Sequence, residues 1–561
     1  MKHKKNKKII IKIVLIILIV SSVYFSCKIT ETINQKNISK KLKDESWIDK
    51  NIKIDKSTIN NNVYIINKNK SIEVYNMLYQ QNVTKKISSG LEKNDYTADN
   101  PLMIYNPYGT NNNSINIYFK DDNITLTSYK IEAKGYETFE KNLVECNEEI
   151  QSYQLLGFVL GTKNTLYLNF TNETGEKTTK KYILDFKNYK IATDNKVEIT
   201  ENNSDELEDG LYAILGDSSD DDYIWLVDNA GIIRGEIPII GYRAVDLLFK
   251  DNEMYFSVSE KKIASMNNLG QITKIYNLGK YKLHHDYTFD EDKNNILVLA
   301  SDTTKESCED AIIKLNLASG KVEDAFYLEE VLPDIRESAY YNKDEVAKEV
   351  ESLGVDWMHI NTINYLPNDT VILSSRETSS VIKVSNIFDS PKVEYILGDE
   401  KFYENYESKK YLYTKVGDFT IAGGQHTVSY IPASTSGVYY LTMFNNNIGI
   451  STTVPDFTWS SIGLKYSSPE DEGESYYYKY KVDENKKTFE LVEKFEVPFS
   501  AYMSSVQNYN ESIIIDSAQA CTFSERNTDG SIKKTYKVNC KSSIYRVFKY
   551  NFYNYYFKSA E

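Results

Sequence analysis

The amino-acid sequence predicts an all-β chain in which a small antiparallel β-sandwich precedes a six-bladed β-propeller. Three observations carry this reading. The 561 residues include 46 Tyr and 22 Phe against 10 Pro and 8 Met, and aromatic side chains suit a pleated, half-buried surface. Short alternating runs at 62–66, 115–119, 126–131 and 166–170 are separated by Asn, Gly, Lys and Asp turns, the spacing of a sandwich. From about residue 211 a strand-pair unit recurs every 40 to 80 residues or so, as divergent propeller blades do.

Taken in chain order, residues 1–27 form a signal peptide or signal anchor. Lys2, Lys4, Lys5, Lys7 and Lys8 precede an apolar run at 9–25 that only Lys12 interrupts. The positive end stays in the cytoplasm, so the bulk of the chain is expected outside it, attached to the membrane or secreted. Cys27 adds the alternative of lipidation after cleavage. Residues 28–55, rich in Lys, Asn and Asp, read as a mobile tether. The sandwich then spans 56–195 and the propeller 196–561, with the acidic stretch 200–210 as a linker or exposed loop. A homodimer formed through the N-terminal domain is compatible with this organisation.

Net charge of −14 and a pI near 5.2 exclude a nucleic-acid partner, which would need a basic face. No cysteine pair has metal-binding CxxC spacing. Cys521 and Cys540 flank a turn-like segment and could pair in an oxidising compartment; the alternative is that all four, with Cys146 and Cys308, are free.

The repeated unit is a polar residue, two intervening positions, Thr or Ser, an apolar residue, a turn and an apolar run. It starts at His285 before Ile296, His359 before Val371, His426 before Val438 and Tyr502 before Ile513, with a more divergent copy at Arg243 before Met254. Inner strands of a propeller line one channel, so equivalent positions converge. The chain has five histidines; His3 lies in the leader and the other four fall in this unit, three of them at its first position. Solvated or core histidines would not select one register of a repeat. His284 and His285 are adjacent and should point to opposite faces of a strand; the repeat selects His285, with His284 as the alternative.

The stretch 356–376 reads as a hairpin with its turn at 366–369. Centred between Pro367 and Asn368, it pairs residues whose numbers sum to 735, which sets His359 across from Arg376. An imidazole and a guanidinium side by side make an anion site. Three imidazoles could instead ligate a metal, but Arg376 has no lone pair and repels a cation. A metal-dependent propeller hydrolase or lyase using His285, His359 and His426 therefore stands as one alternative, and a non-catalytic exported binding protein as another. No GxxxxGK[ST] or GxGxxG phosphate cradle and no nucleophile elbow is present. Tyr502 and Ser505, in the last copy, are secondary candidates.

At His284-His285-Asp286, Asp356-Trp357-Met358-His359-Ile360-Asn361 with Ser374-Ser375-Arg376, Gly424-Gln425-His426-Thr427 and the segment 100–110, the chain resembles the bacterial arylsulfate sulfotransferases that work without 3′-phosphoadenylyl sulfate (PAPS). The resemblance implies an immunoglobulin-like N-terminal domain and a six-bladed propeller with the active site in its channel. It implies transfer of a sulfuryl group from a phenolic sulfate ester to a phenol with no cofactor. It further implies His426 as the nucleophile that becomes transiently sulfated, His285, His359 and Arg376 as the groups holding the sulfate oxygens, and Asn361 as a substrate contact. The leader and the short 366–369 turn depart from the family pattern without touching this chemistry.

Overall fold

The computed structural model describes residues 34–559 except 147, 193–195, 217–222, 340–353 and 467–472. The leader and Cys27 lie outside the described residues, among which no helix is long and apolar enough to cross a membrane.

The N-terminal part packs a five-stranded sheet on a four-stranded one. Along the strand Lys163–Asn172, Asn164, Leu166, Leu168 and Phe170 alternate inward, and Phe170 meets Phe119 of the opposite sheet with ring centroids 5.7 Å apart. Two expectations need correction. The sandwich is not wholly antiparallel: Val63–Lys68 runs parallel to Leu102–Tyr105. Parallel neighbours require a crossover, and the helix Met77–Lys93 lies on it, its first turn capped by the Asn76 side chain. The 28–55 tether is folded in its described part: residues 34–41 are helical, a helix follows at Glu45–Asn51, and Ile52–Lys56 forms an edge strand on Val63–Lys68. Ile38, Leu42, Ile48 and Ile52 are buried, so a few well-spaced aliphatics order a segment whose average composition is polar.

Among the described residues, six sheets of four or five strands lie within 197–550. Their innermost strands are Leu248–Lys250, Tyr281–Phe289, Ile360–Leu366, His426–Pro432, Ser505–Tyr509 and Val547–Tyr550. Side chains stitch these into a closed ring. Tyr287 Oη donates to Asp246 O, Asp286 accepts from Ile363 N, Asn364 donates to Val428 O, Thr427 Oγ1 to Ser504 O, Ser505 Oγ to Val547 O, and Arg546 returns to Val245 O. The ring closes at the ends of the chain: Val547–Tyr550 completes the sheet of Leu211–Leu215, and Val197–Asn202 adds an outer strand to Ile532–Val538. The acidic stretch 200–210 is thus partly strand and not simply a linker.

Cys521 and Cys540 are disulfide-bonded, whereas Cys146 and Cys308 are free. Segment 100–110 and the residues after it seat the sandwich on the propeller. Thr110 Oγ1 donates to Gly270 O at 2.5 Å and Asn112 to Glu236 Oε2 at 2.7 Å, while Arg234 reaches back to Gly157 O and Glu137 O. A single apolar core runs from Phe119 and Tyr129 of the sandwich to Met254 and Phe256 of the propeller.

Candidate active site

Three innermost strands break their register at a histidine. In Tyr281–Phe289, Leu283 pairs with Ala300 but Tyr287 with Val298, so residues 284–286 bulge. In Ile360–Leu366 the bulge falls at Asn361, and in His426–Pro432 between His426 and Ser429. At these bulges His285 (φ 47°), His359 (φ 47°) and Thr427 (φ 54°) adopt left-handed backbone. Such a conformation is uncommon for β-branched and bulky residues and costs about 1–3 kcal/mol each; a bulge re-aims the side chains it carries. The backbone is strained where the imidazoles converge.

The hairpin register differs from the sequence reading in an instructive way. Leu366 pairs with Thr370 and Thr362 with Ser374, so the turn centres on Asn368, one half-step later than expected. Asn368 and Asp369 take left-handed φ of 62° and 46°, which makes Pro367-Asn368-Asp369 a three-residue loop. The Asn361 bulge then restores the offset: Ile360 faces Ser375 and Arg376 N–H donates to His359 O at 3.3 Å. His359 and Arg376 do meet, through two compensating shifts.

His285 lies at the centre, its ring centroid 4.6 Å from that of His359 and 6.3 Å from that of His426. His284 does not point away as a plain strand would require. The bulge holds its Nδ1 3.1 Å from His285 Nδ1, so His284 stands behind His285 and the four histidines of the propeller form one group, with His285 partly exposed and the other three buried. Burial holds His285 well below the usual imidazole range, against the pull of Glu309, and brings His284 down to about 4.

The surroundings of His426 and His359 push their pKa values in opposite directions. His426 Nδ1 lies between two acceptors, Gly424 O at 3.1 Å and Asn446 Oδ1 at 2.9 Å. The Asn446 amide is oriented because its Nδ2 donates to Ser500 O and Met503 O. The ring proton must therefore sit on Nδ1, leaving the Nε2 lone pair unprotonated. Burial, only partly opposed by Asn446 and reinforced by His359 and Arg376, pushes the His426 pKa to about 3. His359 Nδ1 instead donates to Asp356 Oδ2 at 2.5 Å, with Glu309 Oε2 at 2.7 Å. Burial and Arg376 oppose its charge, but the two carboxylates outweigh them and raise its pKa to about 9.

Arg376 Nη1 lies 3.1 Å from His359 Nε2. Its other donors engage Asp356 Oδ2 at 3.2 Å and Glu377, and Glu377 is itself fixed by Thr452 N at 2.7 Å and Ser451 Oγ at 3.0 Å. Carboxylates thus back the cations on one side and orient them toward the other.

The remaining sequence candidates lie around this group. Asn361 is fully buried and its amide donates to Gln425 O at 2.9 Å, tying the His359 bulge to the residue before His426. Ser505 Oγ bridges backbone atoms of Val547, between strands and not among the histidines. Tyr502 is partly exposed, and its carbonyl accepts from Ser500 Oγ. Sequence reasoning missed Glu309, Glu377, Asn446, Tyr545 and Arg546. Tyr545 Oη donates to His285 O at 2.7 Å. Arg546 is buried and joins Asp286 Oδ1 at 3.0 Å to Asn361 O at 2.9 Å, bracing two of the bulges. Asp286 lies within a quoted motif, but nothing local marks a carboxylate or amide as the partner of a histidine on another strand.

Among the described residues two groups have metal-ligand character, His284 with His285 and Glu309, and Glu309 with Asp356 and His359. Neither includes His426, so the His285–His359–His426 ligand set entertained from sequence is not the one the geometry groups. The Arg376 guanidinium against His359 Nε2 suits an oxyanion there, not a cation.

The chain matches the family model of the arylsulfotransferase (ASST) domain over residues 196–556 and that of the arylsulfotransferase immunoglobulin-like domain over 102–187. No curated protein matches it. Similar solved structures include a protein of unknown function from Bacteroides caccae (9% identity, TM-score 0.36, covering 61% of this chain and 99% of that one). Two others are a putative 6-phosphogluconolactonase from Bacteroides uniformis (11%, 0.33, 76% and 99%) and a catalytically inactive virginiamycin B lyase from Staphylococcus aureus with quinupristin (11%, 0.29, 62% and 99%). Likeness at that level carries no argument about this chain. The family models do, since the larger spans more than half the sequence and contains every histidine of the site. The chain belongs to the arylsulfotransferase (ASST) family, whose activity is PAPS-independent aryl sulfotransfer.

Proposed function

We propose that this protein moves a sulfuryl group from a phenolic sulfate ester to another phenol by a ping-pong route through a sulfated His426. The observation that carries the reading is the contrast between two neighbouring histidines: His426 has its Nδ1 on an amide and a carbonyl, which leaves the Nε2 lone pair free, and His359 has its Nδ1 on two carboxylates, which push its pKa up.

In the first half-reaction His426 Nε2 attacks sulfur as the ester S–O bond breaks, and the N–S bond forms. The departing phenolate takes a proton from imidazolium His359. A donor of pKa about 9 is close to that of a phenol, about 10, which is the match general acid catalysis needs. Arg376 Nη1 and His359 Nε2 stand 3.1 Å apart beside the reacting group, so the sulfuryl oxygens accept from the Arg376 N–H while the His359 Nε2 proton serves the departing phenolate. The transition state of such a transfer is loose and in-line, so fixed charge and positioning supply most of the acceleration. In the second half-reaction the acceptor phenol gives its proton back to neutral His359 and takes the sulfuryl group from His426. His285, which burial holds well below the usual imidazole range, is less suited to be the acid than His359. Donor and acceptor are alike, so no activated cofactor is required.

We further propose that the reaction takes place outside the cytoplasm with the chain attached through its basic-apolar leader. The Cys521–Cys540 disulfide supports this, because disulfides persist in oxidising compartments.

The test is intact mass after brief mixing of the purified exported portion with p-nitrophenyl sulfate and no acceptor. Wild type should gain one sulfuryl group with release of nitrophenol, and His426→Asn should gain none. An adduct retained in His426→Asn would remove His426 as the nucleophile, and no adduct in either protein would overturn the ping-pong route.

A further inference from the structure

Arg243 begins the most divergent copy of the repeated unit, the position that carries His285, His359 and His426 in other copies. Its guanidinium carbon stands 4.6 Å from the centroid of the Tyr545 ring and 5.4 Å from that of Tyr242, and Nη1 touches Met503 Sδ at 3.5 Å. The same Tyr545 hydroxyl holds the His285 carbonyl, and the Tyr545 ring is 6.4 Å from the His285 ring. Arg243 therefore belongs to the histidine mouth, one aromatic ring removed from the reacting group.

Its environment differs from that of the other two guanidiniums near the site. Arg376 is paired with Asp356 and Glu377, and Arg546 with Asp286. Among the described residues Arg243 has no carboxylate within ion-pair distance, and its contacts are two aromatic faces and a thioether. Stacking occupies the flat face of a guanidinium and leaves the N–H edges directed outward. Arg243 is partly exposed, so those donors can be reached.

We propose that Arg243 is the anchor for a second anionic group on the aryl substrate, so that the preferred phenols are those carrying a carboxylate on a short arm opposite the hydroxyl. The substrate ring lies along Tyr545 and Met503, the hydroxyl or sulfate ester points to His359 and His426, and the carboxylate takes a forked pair of hydrogen bonds from Arg243. This deepens the sulfotransferase reading and rests on it for the placement of the reacting oxygen.

The test uses two acceptors of similar size, 4-hydroxyphenylacetate and neutral 4-ethylphenol, with p-nitrophenyl sulfate as donor, on wild type, Arg243→Gln and Arg243→Lys. Wild type should favour the carboxylate in kcat/KM. The ratio between the two acceptors should fall about tenfold in Arg243→Gln, the cost of one charge-assisted pair, and should be partly restored in Arg243→Lys. An unchanged ratio in Arg243→Gln overturns the proposal. Binding of the same two phenols by calorimetry separates this from failure of the sulfotransferase reading. Tighter binding of the carboxylate that is lost in Arg243→Gln upholds the anchor even if no sulfo-enzyme forms, and equal binding of both phenols by wild type overturns it.

Discussion

His359 and His426 start the same repeated unit, stand at the head of innermost strands and border a register break, yet their surroundings drive their pKa values apart. The Nδ1 of one faces two carboxylates and that of the other faces an amide and a carbonyl. Strand register decides that both imidazoles reach the same mouth. Residues arriving from elsewhere, Glu309 for the first and Asn446 for the second, set the two rings apart, and in the proposed mechanism that difference makes one the acid and the other the nucleophile. Pairs of titratable groups whose surroundings drive their pKa values apart are the mark of acid–base division in an active site.

The strongest way to break the comparison is to remove the neutral member. His426→Asn should lower steady-state aryl sulfate turnover by about 10⁴-fold or more with an unchanged circular dichroism spectrum. Activity near wild type would show that transfer does not pass through His426. Arg376→Ala removes a clamp on the developing oxyanion and should cost about 3 kcal/mol of barrier, roughly 10²-fold in kcat; near-normal turnover would take Arg376 out of the clamp.

Asn446→Asp sharpens the comparison by giving His426 the kind of neighbour His359 has. A carboxylate on Nδ1 favours the charged ring, so the acid limb of the kcat/KM profile should move up from near pH 3, the value to which burial pushes His426. At neutral pH the rate should drop about 10-fold, as for loss of other groups that orient a reactive imidazole. An unmoved acid limb would show that Asn446 does not control His426.

The smallest effect should come from the reciprocal change. The acid must be protonated, so wild-type activity should persist below and decline above the His359 pKa of about 9. Glu309→Gln removes one of the two carboxylates raising that pKa, and the alkaline limb should shift to lower pH while the rate at about pH 6 changes only a few-fold. A limb that stays in place would assign the acid to another group.

Much of this site was legible before any coordinates. Scarcity helped: with four histidines in one unit, a shared register was visible without knowing the sheets. The hairpin was legible because a Pro-Asn-Asp turn between β-prone runs is a local signal. Its offset was not, because a three-residue loop and a bulge at Asn361 displace the register in compensating senses. The sixth innermost strand, Val547–Tyr550, was missed because it pairs with Leu211–Leu215, a partner over three hundred residues away that leaves no repeat signature beside it. The folded segment 34–56 was missed because net composition hides four buried aliphatics.

The sequence by itself determined the all-β character, the recurrence of strand pairs and the identities of the imidazoles and the guanidinium that meet. These depend on local propensity, on period-two alternation and on a repeat, all written along the chain. Only the tertiary structure decided the protonation of each histidine and the placement of Arg243 and Arg546. Charge state depends on burial and on carboxylates and amides within about 3 Å, and those neighbours are brought together by ring closure, not by proximity in sequence.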